Sequence, residues 1–161
     1  MDQIISIAGM PGSGKSCAAK ELAAQLSASG HPARWIDLDA EVERRAGKSL
    51  ARIFAEGGEP AFRSLEKATL QDILEGDISV LALGGGTLED KENLELVKKY
   101  SHCIWLDTPL ETIADRLWAQ GNIGKRPLLA SAKTKKELLE LLQNLYNTRK
   151  ANYKAAAKEI R

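Results

Sequence analysis

The residues Gly9-Met10-Pro11-Gly12-Ser13-Gly14-Lys15-Ser16 satisfy the spacing G-x-x-x-x-G-K-[ST]. Glycines at these places let backbone N–H groups turn inward around phosphate oxygens, and a helix that starts at the motif adds a dipole favourable to anions. Lys15 then reaches the β- and γ-phosphates, and the Ser16 hydroxyl is placed to ligate Mg²⁺. An apolar run precedes the motif and a helical pattern follows it, which is the context the chemistry needs. The expected ligand is a nucleoside triphosphate; the plainer reading is a glycine-rich turn that only joins a strand to a helix.

Acids come next. Asp37-Leu38-Asp39 follows the second apolar run, and carboxylates two apart on an extended strand end point into one cleft. One suits a metal ion and the other an acceptor hydroxyl; the alternative is a solvated start to the next helix. Asp107, also at a strand end, precedes Thr108-Pro109 and reads as the cap of the following helix. Three arginines complete the set. Arg63 stands three residues before Glu66, so a surface ion pair competes with a role in gripping an anion. Arg126, in Lys125-Arg126-Pro127-Leu128, sits in a polar loop where it could neutralise a γ-phosphoryl group or merely confer solubility. Arg149, four residues before Tyr153, reads on its own as a surface residue. Gly84-Gly85-Gly86 ends a buried run and permits close approach to the backbone, though a plain turn would look the same.

The elements that must position these groups alternate. Apolar runs at 3–8, 33–38, 78–83 and 102–106 predict four strands. Helical patterns cover 14–29, 41–46, 50–55, 60–74 and 90–99, with a break at Gly57-Gly58. A further helix opens at Thr108, with Pro109 first and Glu111 completing a capping box. Thr134 with Glu137 starts a last helix that runs nearly to Arg161. This alternation predicts an α/β fold, a parallel sheet flanked by helices in three layers. The chain of 161 residues, 43% hydrophobic, suits one domain. Twenty-three Lys and Arg against 22 Asp and Glu argue against a nucleic-acid binder. No apolar run is long enough to span a membrane, the N-terminus shows no basic leader, and Cys17 and Cys103 form no disulfide framework. These features predict a soluble, cytoplasmic, monomeric protein. The helical insert over 40–70 and the polar, mobile loop over 120–133 give the layout of a small-molecule kinase, one segment for the acceptor and one to exclude water.

Over 4–153 the chain resembles the shikimate kinase family. The resemblance rests on the phosphate motif, Asp37-Leu38-Asp39, the stretch from Gly47 through Ile53-Phe54, Gly58-Glu59 and Phe62-Arg63 to Glu66, the triple glycine, Arg126-Pro127-Leu128-Leu129, and Arg149 with Tyr153. It implies the P-loop fold and transfer of the ATP γ-phosphoryl group to the 3-hydroxyl of shikimate, with Mg²⁺, in aromatic amino-acid biosynthesis. By position, Gly12, Ser13, Gly14, Lys15, Ser16 and Cys17 would hold the phosphates, with Lys15 catalytic. Ser16 and Asp37 would serve the metal, Asp39 would meet the acceptor hydroxyls and act as base, and Arg63 and Arg149 would grip the shikimate carboxylate. Gly84, Gly85 and Gly86 would line the acceptor site, Arg116 would lie near the adenine, and Arg126 would close over the phosphates. The 40–70 segment then corresponds to a substrate-binding flap and 120–133 to a lid. Two departures stand out: Cys17 replaces the usual hydroxyl residue, and the family's last strand and helix are expected to be missing. A gluconate or nucleoside monophosphate kinase, and a non-catalytic nucleotide-binding module, are the alternatives.

Overall fold

The computed structural model describes residues 3–121 and 123–161; Met1, Asp2 and Asn122, the last within the 120–133 segment, lie outside the described residues. Strands β1 (Ile4–Ala8), β2 (Trp35–Asp37), β3 (Val80–Ala82), β4 (Ser101–Trp105) and β5 (Glu159–Ile160) form one sheet in the order β2-β3-β1-β4-β5. Every neighbouring pair is parallel. The helices are α1 (Lys15–Ala28), α2 (Leu38–Ala46), α3 (Leu50–Leu74), α4 (Lys91–Tyr100), α5 (Leu110–Gln120) and α6 (Lys135–Ala156).

Alternation along the strands decides which helix covers which face. Ile7, Val80 and Ala82 meet Ala19 and Ala23 of α1, whose small side chains let the helix lie close to the sheet. Ala8, Leu81, Leu83, Cys103 and Trp105 face the other way, against Leu70, Val97, Leu138, Leu142 and Tyr153. Each fully buried leucine there contributes on the order of 1.5–3 kcal/mol. Helices on both faces of a parallel sheet give the three-layer α/β architecture expected. The chain builds β2 and β3 on one side of β1 and then crosses to β4 on the other. The crevice at the carboxyl end of β1 is therefore the switch point, where ligands of such sheets bind, and the glycine-lysine motif lies there.

Three expectations need correction. The strand taken to be missing is present: β5 pairs Glu159 with Ile104 and Ile160 with Trp105. Lys158 N–H donates to the Cys103 carbonyl at 2.8 Å and Arg161 N–H to that of Trp105 at 2.9 Å. Two residues held by the ladder alone leave no apolar run to read, and α6 accordingly ends at Ala156; no helix follows β5 among the described residues. Thr108 does not cap α5, which starts at Leu110 with no side-chain cap; its hydroxyl donates instead to the Ser13 carbonyl at 2.8 Å. Asp39 does not stand on an extended strand end, because Asp37 caps α2 and the helix begins at once with Leu38. By contrast Thr134 caps α6 as expected, accepting from Glu137 N–H at 3.1 Å. Helix α3 is broken at Gly58, with φ 72° and ψ −177°, and Val42, Ile53 and Phe62 form a small core of their own beside it. Among the described residues, no helix is long and apolar enough to cross a membrane.

Candidate active site

At the switch point the backbone itself makes an anion cradle. Gly12 has φ 78°, and a Cβ there would sit 2.9 Å from Leu117 of α5, so the turn needs glycine on both counts. Gly14, left-handed at φ 99°, ends the turn, and no side chain caps α1. The first-turn N–H groups of α1 are thus available to phosphate oxygens. Lys15 Nζ donates to the Gly9 and Met10 carbonyls, both at 2.8 Å. Burial pulls its pKa down to about 8; Asp39 and Asp37 oppose that drop, while Arg126 and Arg149 add to it. The Ser16 hydroxyl donates to one oxygen of Asp37, whose other oxygen accepts from Ala40 N–H at 3.0 Å to cap α2. Arg116 Nη1 lies 3.5 Å from the Ser13 carbonyl, and Cys17 is exposed.

The triple glycine is where the other charged candidates converge. A Cβ on Gly84 would come within 2.8 Å of Asp39 Oδ1 and 3.0 Å of Glu66 Oε2. One on Gly85 would meet Pro11 at 2.9 Å and Arg149 Nη1 at 3.0 Å, and one on Gly86 would strike Arg63 Nη2 and Arg149 Nη2. Asp39 and the two arginines therefore share one hollow, floored by glycine and bounded by Pro11 of the phosphate loop. Asp39 is pushed up to about 6 by burial, then by the negative charges of Asp37 and Glu66, which outweigh Lys15 and Arg63.

Arg149 shows why one helix face was hard to read. It occupies a core position on α6, in line with Leu138, Leu142, Tyr153 and Ala156, and is only 2% exposed. The Tyr153 hydroxyl donates to the Gly85 carbonyl at 2.5 Å, which ties this face to the glycine floor. Arg63 makes its ion pair with a buried rather than a surface Glu66, and its guanidinium lies against Gly86. Its Nη1 donates to Glu66 at 2.9 Å, and Glu66, 1% exposed, also accepts from the Thr87 hydroxyl at 2.9 Å. Burial works against the Arg63 charge, but Glu66, Glu59 and Glu89 more than offset it. The ion pair aims the guanidinium at the hollow. Sequence reasoning missed Glu89, which follows the glycines in a 3₁₀ turn, and Thr108, whose hydroxyl looked like a cap.

Among the described residues, the buried side-chain atoms without a hydrogen-bond partner include Ser13 Oγ, Asp39 Oδ1, Arg126 Nε and Arg149 Nε. A buried polar atom left unpaired costs roughly 1–3 kcal/mol, and four at one crevice mark a place built for a polar ligand. Arg126 stands on the loop after α5, which buried Ile123 and Leu129 anchor on either side, near enough for its charge to act on Lys15.

Comparison with known proteins gives the chain its relatives. The family model described as shikimate kinase matches residues 11–161. A shikimate kinase of Persephonella marina is 41% identical over 86% of this chain and 79% of its own length, and one of Chlorobium chlorochromatii is 38% identical over 95% and 78%. A shikimate kinase from Acinetobacter baumannii, solved in complex with shikimate, superposes with a TM-score of 0.88 at 28% identity, covering 99% of this chain and 82% of that one. A family model that matches residues 11–161, with relatives 38% and 41% identical over most of their own length, places this chain in the shikimate kinase family.

Proposed function

We propose that this site transfers the γ-phosphoryl group of ATP to the 3-hydroxyl of shikimate, giving shikimate 3-phosphate and ADP. One observation carries the reading: Asp39, Arg63 and Arg149 meet on Gly84, Gly85 and Gly86 beside Lys15. The phosphate turn from Gly12 to Cys17 holds the phosphates, with Arg116 on the adenine side. Ser16 and Asp37 offer two hard oxygens already in contact. That donor set suits Mg²⁺, which takes one or two protein oxygens and fills the rest of its shell from phosphates and water. The ion, when bound, supplies charge neutralisation at the phosphates.

The remaining roles belong to side chains of this chain. Arg63 and Arg149 present planar forks that match a carboxylate at two points, fixing the acceptor ring with a hydroxyl toward Asp39. Asp39 accepts that hydroxyl's proton as the bond to phosphorus forms. Lys15 and Arg126 offset the charge spread over the transferring group. The segments 40–70 and 120–133 act as flap and lid, shutting water out of the transfer. Two free cysteines suit a reducing, cytoplasmic compartment, and the balanced charge argues against a nucleic-acid partner.

A coupled ADP-release assay with shikimate, gluconate and nucleoside monophosphates tests this directly. Turnover is expected with shikimate; flat traces with every acceptor, beside measurable ATP binding, would reject catalysis. The pH profile is a second expectation. Below about 6 Asp39 is protonated and loses its power to take a proton, and above about 8 Lys15 loses its charge. The kcat/KM for shikimate should therefore fall below about 6, and that for ATP, which reports the nucleotide-free enzyme, should fall above about 8, limbs that belong to the interacting pair rather than to either group alone. A flat profile across both limbs would remove these two groups from the rate. Arg126→Ala should lower kcat by roughly 10²–10³-fold, the scale of one lost charge-stabilising donor, while KM for shikimate changes little; a change confined to KM would instead mean uniform binding.

A further inference from the structure

Beside the two arginines stands a carboxylate that the transfer chemistry does not use. Glu89 ends the 3₁₀ turn Thr87–Glu89 that follows the glycine floor. Its Oε1 lies 3.5 Å from Arg149 Nε and its Oε2 lies 3.8 Å from Arg63 Nη2. A Cβ on Gly86 would meet Glu89 Oε2 at 2.9 Å and Arg149 Nη2 at 2.8 Å, so all three side chains converge on one point. No other carboxylate is within ion-pairing distance of Arg149 among the described residues. The contrast with Glu66 is informative. Glu66 is buried, bonded to Arg63 at 2.9 Å and held a second time by Thr87. Glu89 keeps a third of its side chain on solvent and touches both arginines only loosely. Glu66 has the geometry of a fixed support, Glu89 that of a movable occupant.

We propose that Glu89 is an internal carboxylate that fills the anion seat between Arg63 and Arg149 and must swing out for the acceptor's carboxylate to enter, an inference that rests on assigning that carboxylate to these two arginines. Two carboxylates beside the same guanidinium pair repel each other, and the open side of Glu89 gives it somewhere to go. The affinity observed for the acceptor is then the intrinsic affinity reduced by the fraction of time the seat is taken. Glu89 is thus a residue that sets acceptor affinity.

The test measures shikimate binding by calorimetry, and both KM values, in the wild type, Glu89→Gln, Arg149→Ala and the double variant. Glu89→Gln should tighten shikimate binding by about three- to tenfold, with KM for shikimate moving more than kcat and KM for ATP unmoved. In the Arg149→Ala background the gain should vanish, because the seat no longer exists. Glu89→Asp, which keeps the charge but draws it back by one methylene, should show part of the gain. Unchanged or weaker shikimate binding in Glu89→Gln, alongside a large loss in Arg149→Ala, overturns the competitor role and leaves the carboxylate assignment standing. Shikimate affinity indifferent to Arg149→Ala overturns both.

Discussion

Replacing Lys15 with alanine is expected to lower kcat by roughly 10³-fold or more while the protein still folds. The side chain is held inside the phosphate turn by two carbonyls at 2.8 Å, so it is preorganised to meet charge developing on the transferring group. Its environment disfavours that charge in the resting protein: burial drives the pKa down from 10.5 to about 8. A lysine whose folded pKa lies below its unfolded one weakens the fold at neutral pH, and the penalty disappears as pH rises above the unfolded pKa. Removing the ammonium therefore relieves a cost, and the melting temperature at pH 7 should hold steady or rise. The neighbouring carboxylates Asp37 and Asp39 lose a counter-charge in the same change, which limits the gain. A coupled assay and a thermal melt check the two halves together. Turnover within tenfold of wild type would exclude Lys15 from the transition state, whereas a large drop in melting temperature would show that its role is structural.

How far the sequence revealed this depended on whether a feature was local. The phosphate turn was legible because its chemistry needs residue types at fixed spacing between a strand and a helix, and both neighbours are strongly patterned. The central strands were legible because they are buried on both faces. Strand β5 was not, since Glu159 and Ile160 are placed by ladder bonds to β4 and carry no pattern of their own. Thr108-Pro109 has the residue types of a helix start, and only the fold shows its hydroxyl committed to Ser13, which is distant in sequence. Asp37 and Asp39 are legible as a pair, but carboxylates two apart share a cleft by spacing alone only on an extended chain. In the structure one caps the helix and the other rides its first turn. For Arg63 the sequence offers an ion pair or a site; in the structure the pair with Glu66 holds the guanidinium against Gly86. Glu89 and Tyr153 owe their positions at the hollow to tertiary packing, for which sequence periodicity holds no signal.

Arg149→Ala should be the most damaging change to acceptor binding, weakening shikimate by about 2–5 kcal/mol, the usual loss when one member of a buried charge pair is removed. ATP affinity should fall far less, because Arg149 lies against Gly85 and Gly86 and acts on Lys15 of the phosphate turn through its charge. The two arginines, Arg63 and Arg149, are expected to differ in a second measurement. Arg63→Ala strands Glu66, a carboxylate with 1% of its surface exposed, leaving it with the Thr87 hydroxyl as its hydrogen-bond partner. An unpaired buried charge destabilises strongly, so Arg63→Ala should lower the melting temperature as well as the affinity. Arg149 has the half-open Glu89 as its ionic partner and strands no buried carboxylate, so its removal should cost less in melting than that of Arg63. Arg149→Lys discriminates further: an ammonium restores the charge but not the two-point fork, so recovery should be partial at best. Full recovery by lysine would show that charge alone holds the acceptor, and equal losses for shikimate and ATP in Arg149→Ala would show that the guanidinium supports the whole crevice rather than one carboxylate.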